Sequence, residues 1–436
     1  MNDNKIRVAL VCSFSNAKVR EHLPLDDRRL YNFVRGLFGL SKRSGKSYGD
    51  VAGWDTYMID LLRKRDDIDL YVISAHSGLK RSKCSFELEG VHYFFIKSEL
   101  ATMLKHVIPS PSLWHRLNPM RPIVRRIIKR TKPDVIALIG AENPHISGTV
   151  LGIKGIPLIV KCQTIYNNPD RGKTGIVDEK NAYVERLIFN DLRYVSVTTD
   201  MHERLFRTMN RTAINFKWGL GNLLPEVKPL EKEYDFVCFA MGMSDKKGFP
   251  DAIKALSIVT KQHKEVKLNL IGNATKEQKD VLIALIKSLN VTENVVFTPF
   301  FESQDDLFQH LQRSRFALLP CKLDYISSTV RQAMHYEIPV VCYATEGTIT
   351  LNKEQECVLI ANNSNVDDLA SQMLVLLSSP QKADILRKNA KEYSLRWSND
   401  AENSQQMADN FRAVVMNYKY GTPVPQELLY TPNKNA

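Results

Sequence analysis

A chain of 436 residues, 44% hydrophobic and 25% charged, has the makeup of a soluble globular protein and exceeds what one hydrophobic core ordinarily supports, so two or three domains are expected. This composition excludes a fibrous or disordered chain, and no apolar run approaches the roughly 18 residues of a membrane span. The net charge of +12 points to anionic partners (nucleotides, phosphates, nucleic acid or an acidic membrane surface) without choosing among them.

In chain order, the opening MNDNKIRVALVCSFS reads as a first strand rather than a secretory leader, which gives the expectation of a cytoplasmic location. Short apolar runs then alternate with helical stretches, the pattern of strand–helix–strand units in parallel sheets. The first series is IRVALVCS, DLYVISA, VHYFFIKS, DVIALIGA, PLIVKC and YVSVTT; a second starts afresh with DFVCFAMG, LNLIGN, VVFTPF, FALLPC, VVCYA and CVLIA. Two doubly wound sheets follow. Residues 1–218 make an N-terminal domain, 219–234 a linker holding Gly219, Gly221, Pro225 and Pro229, and 235–398 a C-terminal domain. A helix over 399–420 is expected to pack near the domain junction, and a tail over 421–436 to fray. The polar stretch Ser15 to Asp50 reads as a mobile loop over the cleft. Seven cysteines without a C-x-x-C pair, mostly in apolar runs, read as buried free thiols rather than metal ligands.

Local charge is uneven. Between Ala101 and Pro133 there are eight basic residues and no acidic one, and within RPIVRRIIKR the residues Ile123, Val124, Ile127 and Ile128 recur at helical spacing. Such a helix either lays its apolar stripe on the sheet or docks on anionic lipid headgroups, helped by Trp114 in SLWHRL.

Open parallel sheets bind ligands where strands end and the next helices begin, because free backbone N–H groups and helix dipoles gather there. In PCKLDYISSTVRQAM a strand ends at Pro320, and Ser327 or Ser328 caps the following helix. Amides over Tyr325, Ile326, Ser327 and Ser328 then offer a phosphate site. Ser328 and Gln332, four apart, share one helix face, and Asp324 precedes them on the loop. An acid and an amide beside an anion site suit a ligand that is part phosphate and part polyol.

These residues resemble the donor-binding motif of retaining GT-B glycosyltransferases of glycosyltransferase family 4 (glycosyl transferases group 1). The usual motif has two Glu eight positions apart, the second followed by Ala-Met, and ends in Gly-x-Pro-Val-Val; here Asp324 and Gln332 hold that spacing and Glu337 replaces the Gly before IPVV. FAMGMSDKKGFPDAIKAL resembles the family's second donor segment, with Lys247-Gly248 in the matching place and Met241-Gly242 where Gly-Arg would stand, so that Lys246 compensates. VAGWDTYMIDLL resembles the Gly-Gly helix start, with Ala52 for the first Gly and Gly53 for the second. In the acceptor half, KPDVIALIGAENPHISG brings Glu142, Asn143 and His145, and Gln163 stands where the family often has His.

The resemblance implies an α/β protein of GT-B fold, with two Rossmann-like domains facing across a cleft. It implies Asp324 on the transferred sugar, Gln332 on the ribose, and Lys246, Lys247, Gly242 and Gly248 at the diphosphate. It implies Gly53 near phosphate, with Glu142 and His145 facing the sugar from the N-terminal domain. The expected substrate is a UDP- or GDP-sugar, with no separate cofactor and no metal. The expected acceptor is a glycan or lipid-linked molecule, with the 101–133 segment on the inner face of the membrane. Three other readings stand beside this one: a 2-epimerase acting on nucleotide-sugars, a binding protein that kept the fold and lost turnover, and a nucleic-acid binder. The last lacks the interleaved aromatics of a stacking platform.

Overall fold

The computed structural model describes residues 5–25, 50–162, 164–169, 178–219, 221, 224–324, 326, 328–397 and 399–432. The chain divides into two compact units, residues 1–223 with 399–436 and residues 224–398.

The first unit carries an eight-stranded sheet. In chain order its strands are β1 (Ile6–Cys12), β2 (Ile68–His76), β3 (Lys83–Leu88), β4 (Val91–Lys97), β5 (Val135–Ile139), β6 (Leu158–Lys161), β7 (Tyr194–Val197) and β8 (Ile214–Lys217). They lie side by side as β3-β4-β2-β1-β5-β6-β7-β8, parallel throughout except for the antiparallel pair β3–β4. β1, β5 and β7 are almost wholly buried, as strands covered on both faces must be. One face packs Val8, Leu10 and Val72 against the helix Gly53–Arg63; the other packs Val11, Ile73 and Leu138 against the helices Arg121–Thr131 and Glu179–Asn190.

Two strands, β3 and β8, are additions to the sequence reading. β3 is an edge strand whose residues alternate between exposed and half-buried, and it returns into β4 through Glu89 and Gly90, both at positive φ (+51° and +75°). Two consecutive left-handed residues make the turn type that matches the twist of a hairpin.

The helix Asp400–Tyr420 completes the first unit. Met407, Ala408, Phe411 and Val414 enter the same core face as Tyr57, Tyr194 and Trp218, and the Tyr194 hydroxyl donates to Asn417 Oδ1 at 2.7 Å. Beyond it the tail is held through Tyr430 instead of fraying. Leu429 forms an antiparallel bridge with Phe216 of β8, the Tyr430 N–H donates to the Asn215 carbonyl at 2.8 Å, and its hydroxyl donates to Asp200 at 2.7 Å. An open sheet edge thereby finds partners for its backbone groups.

The second unit has a six-stranded, all-parallel sheet: β9 (Tyr234–Gly242), β10 (Leu268–Asn273), β11 (Val295–Thr298), β12 (Ser314–Leu319), β13 (Val340–Tyr343) and β14 (Leu359–Ala361). The order is β11-β10-β9-β12-β13-β14, which is 3-2-1-4-5-6 within the unit, the doubly wound arrangement of dinucleotide-binding domains. The order in which successive strands are added reverses between β9 and β12, and a crevice opens beyond their carboxyl ends.

The basic helix Arg121–Thr131 takes the first of its two readings. Val124, Ile127 and Ile128 are buried against the sheet, so its apolar stripe belongs to the core. Trp114 is fully buried too, its indole N–H donating to the Ala101 carbonyl at 3.2 Å, and it acts as a peg between two helices rather than a membrane anchor.

Candidate functional site

At the switch point of the second sheet the loop after β9 makes a short turn over Asp245–Lys247 and passes through Gly248 at φ +76° into the helix Phe249–Val259. A Cβ on Gly248 would lie 2.0 Å from the Pro320 carbonyl oxygen, so only glycine lets this loop close on the end of β12. The contact is reinforced by the Lys322 N–H, which donates to the Lys246 carbonyl at 3.0 Å. The Lys322 ammonium reaches Asp245 at 2.8 Å and buried Asp251 at 3.2 Å, and Asp251 also accepts from the Tyr343 hydroxyl at 3.1 Å. Burial alone would lower Lys322, but the two carboxylates outweigh it and hold the ammonium above its ordinary value.

After β12 the chain runs through Asp324, whose Oδ1 accepts from the Ile326 N–H at 3.3 Å, and enters the helix Ser328–His335. The Asp324 carbonyl accepts from the Gly347 N–H at 3.1 Å, which ties in the loop after β13. Three strand-end loops thus meet at one place. Lys246, Lys247 and Asp324 all act on Cys321: burial pushes that thiol up, Asp324 adds to the rise, and the two lysines oppose it. Ser328 and Gln332 sit half-buried on the helix face that follows. Tyr325 and Ser327 lie outside the described residues.

One residue here escaped the sequence reading. Arg331 is buried, donates to the Ile326 carbonyl at 2.8 Å and to the Tyr393 hydroxyl at 2.7 Å, and stacks over the Tyr393 ring at 5.2 Å. It fixes the loop from inside the domain. A charge within an otherwise apolar helix face was the only sign of it.

Two departures from the glycine pattern fall on left-handed backbone. Glu337 has φ +57°, with its N–H on the Met334 carbonyl (3.1 Å) and the Ile338 N–H on the Ala333 carbonyl (3.0 Å), a complete Schellman ending for the helix. Ala52, at φ +56° and ψ +59°, precedes Gly53 and the helix Gly53–Arg63.

In the first unit the corresponding switch point lies between β1 and β5. Asp55, on the first turn of the helix Gly53–Arg63, and Lys161, at the end of β6, are both buried, and Glu142 follows β5. Burial pushes the Asp55 carboxyl well up, an effect Lys161 opposes and Glu142 strengthens; burial pushes Lys161 down against the pull of both acids. Glu142, itself half-buried, therefore adds its charge to that buried pair. His145 stands apart from these three, on the short helix Pro144–Ser147, and burial with the charge of Lys105 pushes its imidazole down to about 4. It is neutral at neutral pH. Gln163 lies outside the described residues.

Compared with solved structures, the chain has the fold of the GT-B glycosyltransferases. Sucrose-phosphate synthase from Thermosynechococcus elongatus superposes with a TM-score of 0.68 at 14% identity, over 94% of this chain and 98% of that one. HepE of Anabaena, solved with UDP and glucose, gives 0.64 at 14% identity over 94% and 100% of the two chains. A glycosyltransferase from Rickettsia africae gives 0.62 at 12% identity over 95% and 100%. Residues 223–393, within the second unit, match the model of the family glycosyl transferases group 1. No curated protein matches the chain in sequence.

Proposed function

We propose that the protein transfers a sugar from a nucleoside-diphospho-sugar to an acceptor hydroxyl with retention at the anomeric carbon. The observation that carries this reading is the meeting of three strand-end loops, with Lys246, Lys247 and Asp324, at the switch point of a group 1 glycosyl transferase domain. Lys247, aided by Lys246, takes the diphosphate charge as it grows on the leaving group. Amides at the start of the helix Ser328–His335 bind the same group, Asp324 accepts from sugar hydroxyls, and Gln332 binds the ribose. The bond from the anomeric carbon to the phosphate oxygen breaks while the acceptor oxygen bonds from the same side, and the acceptor proton passes to the leaving phosphate. Glu142 and neutral His145 serve the transferred sugar as hydrogen-bonding groups. The HepE structures, which hold UDP and UDP-glucose, support a uridine donor.

Nucleotide release from UDP-, GDP- and ADP-sugars, measured with and without glycan and lipid-linked acceptors, tests this. Release that needs an acceptor is expected. Lys247→Ala should weaken donor binding about 30-fold or more, the loss of one charge-assisted contact, while Lys254→Ala leaves it unchanged; equal losses would refute the placement. Saturable donor binding without release would favour the binding-protein reading, which Gln332 in place of an acid supports.

The lipid-linked acceptor and the anionic membrane partner belong to the same reading, through the first helices of the 101–133 region rather than the helix Arg121–Thr131. No helix among the described residues is long and apolar enough to cross a membrane. Leu100, Met103 and Val107, spaced along one face of the helix Glu99–Val107, are 53%, 49% and 73% exposed, and Leu113 and Leu117 are exposed just beyond. An apolar stripe beside a run of cations is what an interfacial helix presents to acidic lipid.

A further inference from the structure

The basic helix Arg121–Thr131 has a second face that the core does not absorb. Ile123, Arg126 and Arg130 follow the spacing of residues that share one side of a helix, and with Ile127 at the border of the core face they form one wall of a cavity of about 290 Å³. The opposite wall is the β3–β4 hairpin. Lys83 pairs with Ile96 and Ser85 with Phe94 across the antiparallel ladder, so these four side chains stand on one face of the sheet. Ile96 lies in the core beneath this helix, which identifies that face as the one the helix covers. Among the described residues that line the cavity, Lys83, Arg126 and Arg130 are cations and none is acidic.

Such a concentration of charge is costly when empty. Arg126 and Arg130 are four apart, where like charges repel, and Lys83 adds a third from the strand edge. Arg130 finds partial relief over the Phe94 ring, 5.6 Å from its centroid. Guanidinium groups present paired donors in a plane and favour phosphate over a spherical anion. The hydroxyls of Ser82 and Ser85 add donors, while Phe94, Ile123 and Ile127 supply an apolar floor.

We propose that this groove between the β3–β4 hairpin and the helix Arg121–Thr131 binds a phosphate group carried on a partly apolar body. The phosphate sits between Arg126, Arg130 and Lys83, and the body lies on Phe94 and the two isoleucines. The site is separate from the switch point of the second unit and does not depend on the sugar-transfer reading. Its phosphate can come from a soluble phosphomonoester or from a lipid headgroup, and the test separates the two.

Isothermal titration calorimetry on the full chain reads binding directly. Four additions are compared at equal ionic strength: chloride, glycerol 3-phosphate, monomeric short-chain phosphatidylglycerol, and the matching phosphatidylcholine. At least one of the two anionic phosphate ligands should bind saturably, fivefold or more tighter than chloride and phosphatidylcholine; binding of the phosphomonoester identifies a soluble ligand, and binding of phosphatidylglycerol alone a headgroup. Arg126→Gln with Arg130→Gln should weaken the apparent affinity tenfold or more, while Lys129→Gln on the same helix and Lys247→Ala leave it within twofold. Unchanged thermal melting of the double variant without ligand shows that it folds. Equal binding of chloride or phosphatidylcholine, binding that survives the double substitution, or no binding of either anionic ligand would overturn the proposal.

Discussion

Glu337 shows how a residue can look like a binding-site change and be a backbone one. Its left-handed φ costs a side-chain-bearing residue about 1 kcal/mol, which glycine avoids. Its carboxylate meets Lys391 at 3.2 Å, but that pair is largely exposed and contributes little. Glu337→Gly should therefore be more stable than Glu337→Ala by about 1 kcal/mol in urea denaturation, since both lose the ion pair and only one keeps the Cβ. Equal stabilities would mean that the surrounding Schellman bonds carry no strain. Ala52, at φ +56°, follows the same logic.

Elements were legible to differing degrees. Twelve of the strands announce themselves as buried apolar runs, because parallel strands covered on both faces leave no room for polar alternation. β3 hides because it is an edge: Lys83, Ser85, Glu87 and Gly90 read as a loop, and only the Glu-Gly step hints at a hairpin. β8 is four residues long and ends beside Trp218, too short to show a period. The loops of the candidate site were legible as motifs, but their mutual contact was not. Nothing in the sequence says that Gly248 presses on Pro320, or that Arg331 reaches back to Ile326.

The apolar helix Glu99–Val107 yields a prediction at this scale. Leu100, Met103 and Val107 each bury about 1 kcal/mol of apolar surface on entering a bilayer interface, so replacing all three by Ser should reduce binding to phosphatidylglycerol vesicles on the order of 100-fold. Cosedimentation measures it. Binding should also weaken with salt and be slight on phosphatidylcholine; unaltered binding of the triple variant would place the contact elsewhere.

For the whole molecule, two histidines, His202 buried and His145 half-buried, lower the stability toward acid. Burial pushes His145 and His202 down to about 4, reinforced by Lys105 and Lys161 respectively. Between the unfolded value near 6.5 and pH 4 the unfolded chain binds protons that the folded chain refuses. Stability is thus full above about 6.5 and falls as pH drops, by up to about 1.4 kcal/mol per pH unit for each histidine. Asp55 works in the other direction, since its raised carboxyl takes up a proton in the folded state first. His202→Phe should remove about 2 kcal/mol of the loss between pH 7 and pH 5 in urea midpoints. An unchanged pH slope would show that His202 does not titrate on unfolding.

The return of the last helix to the first unit has a consequence for synthesis. Residues 224–398 are continuous and can close on themselves as soon as they leave the ribosome, whereas the core around Tyr57, Tyr194 and Trp218 waits for Phe411 and Val414, which are made after them. Of the two units, the one whose strands are translated first is the one that finishes folding second, and a chain cut short after residue 398 would leave it with an open seam.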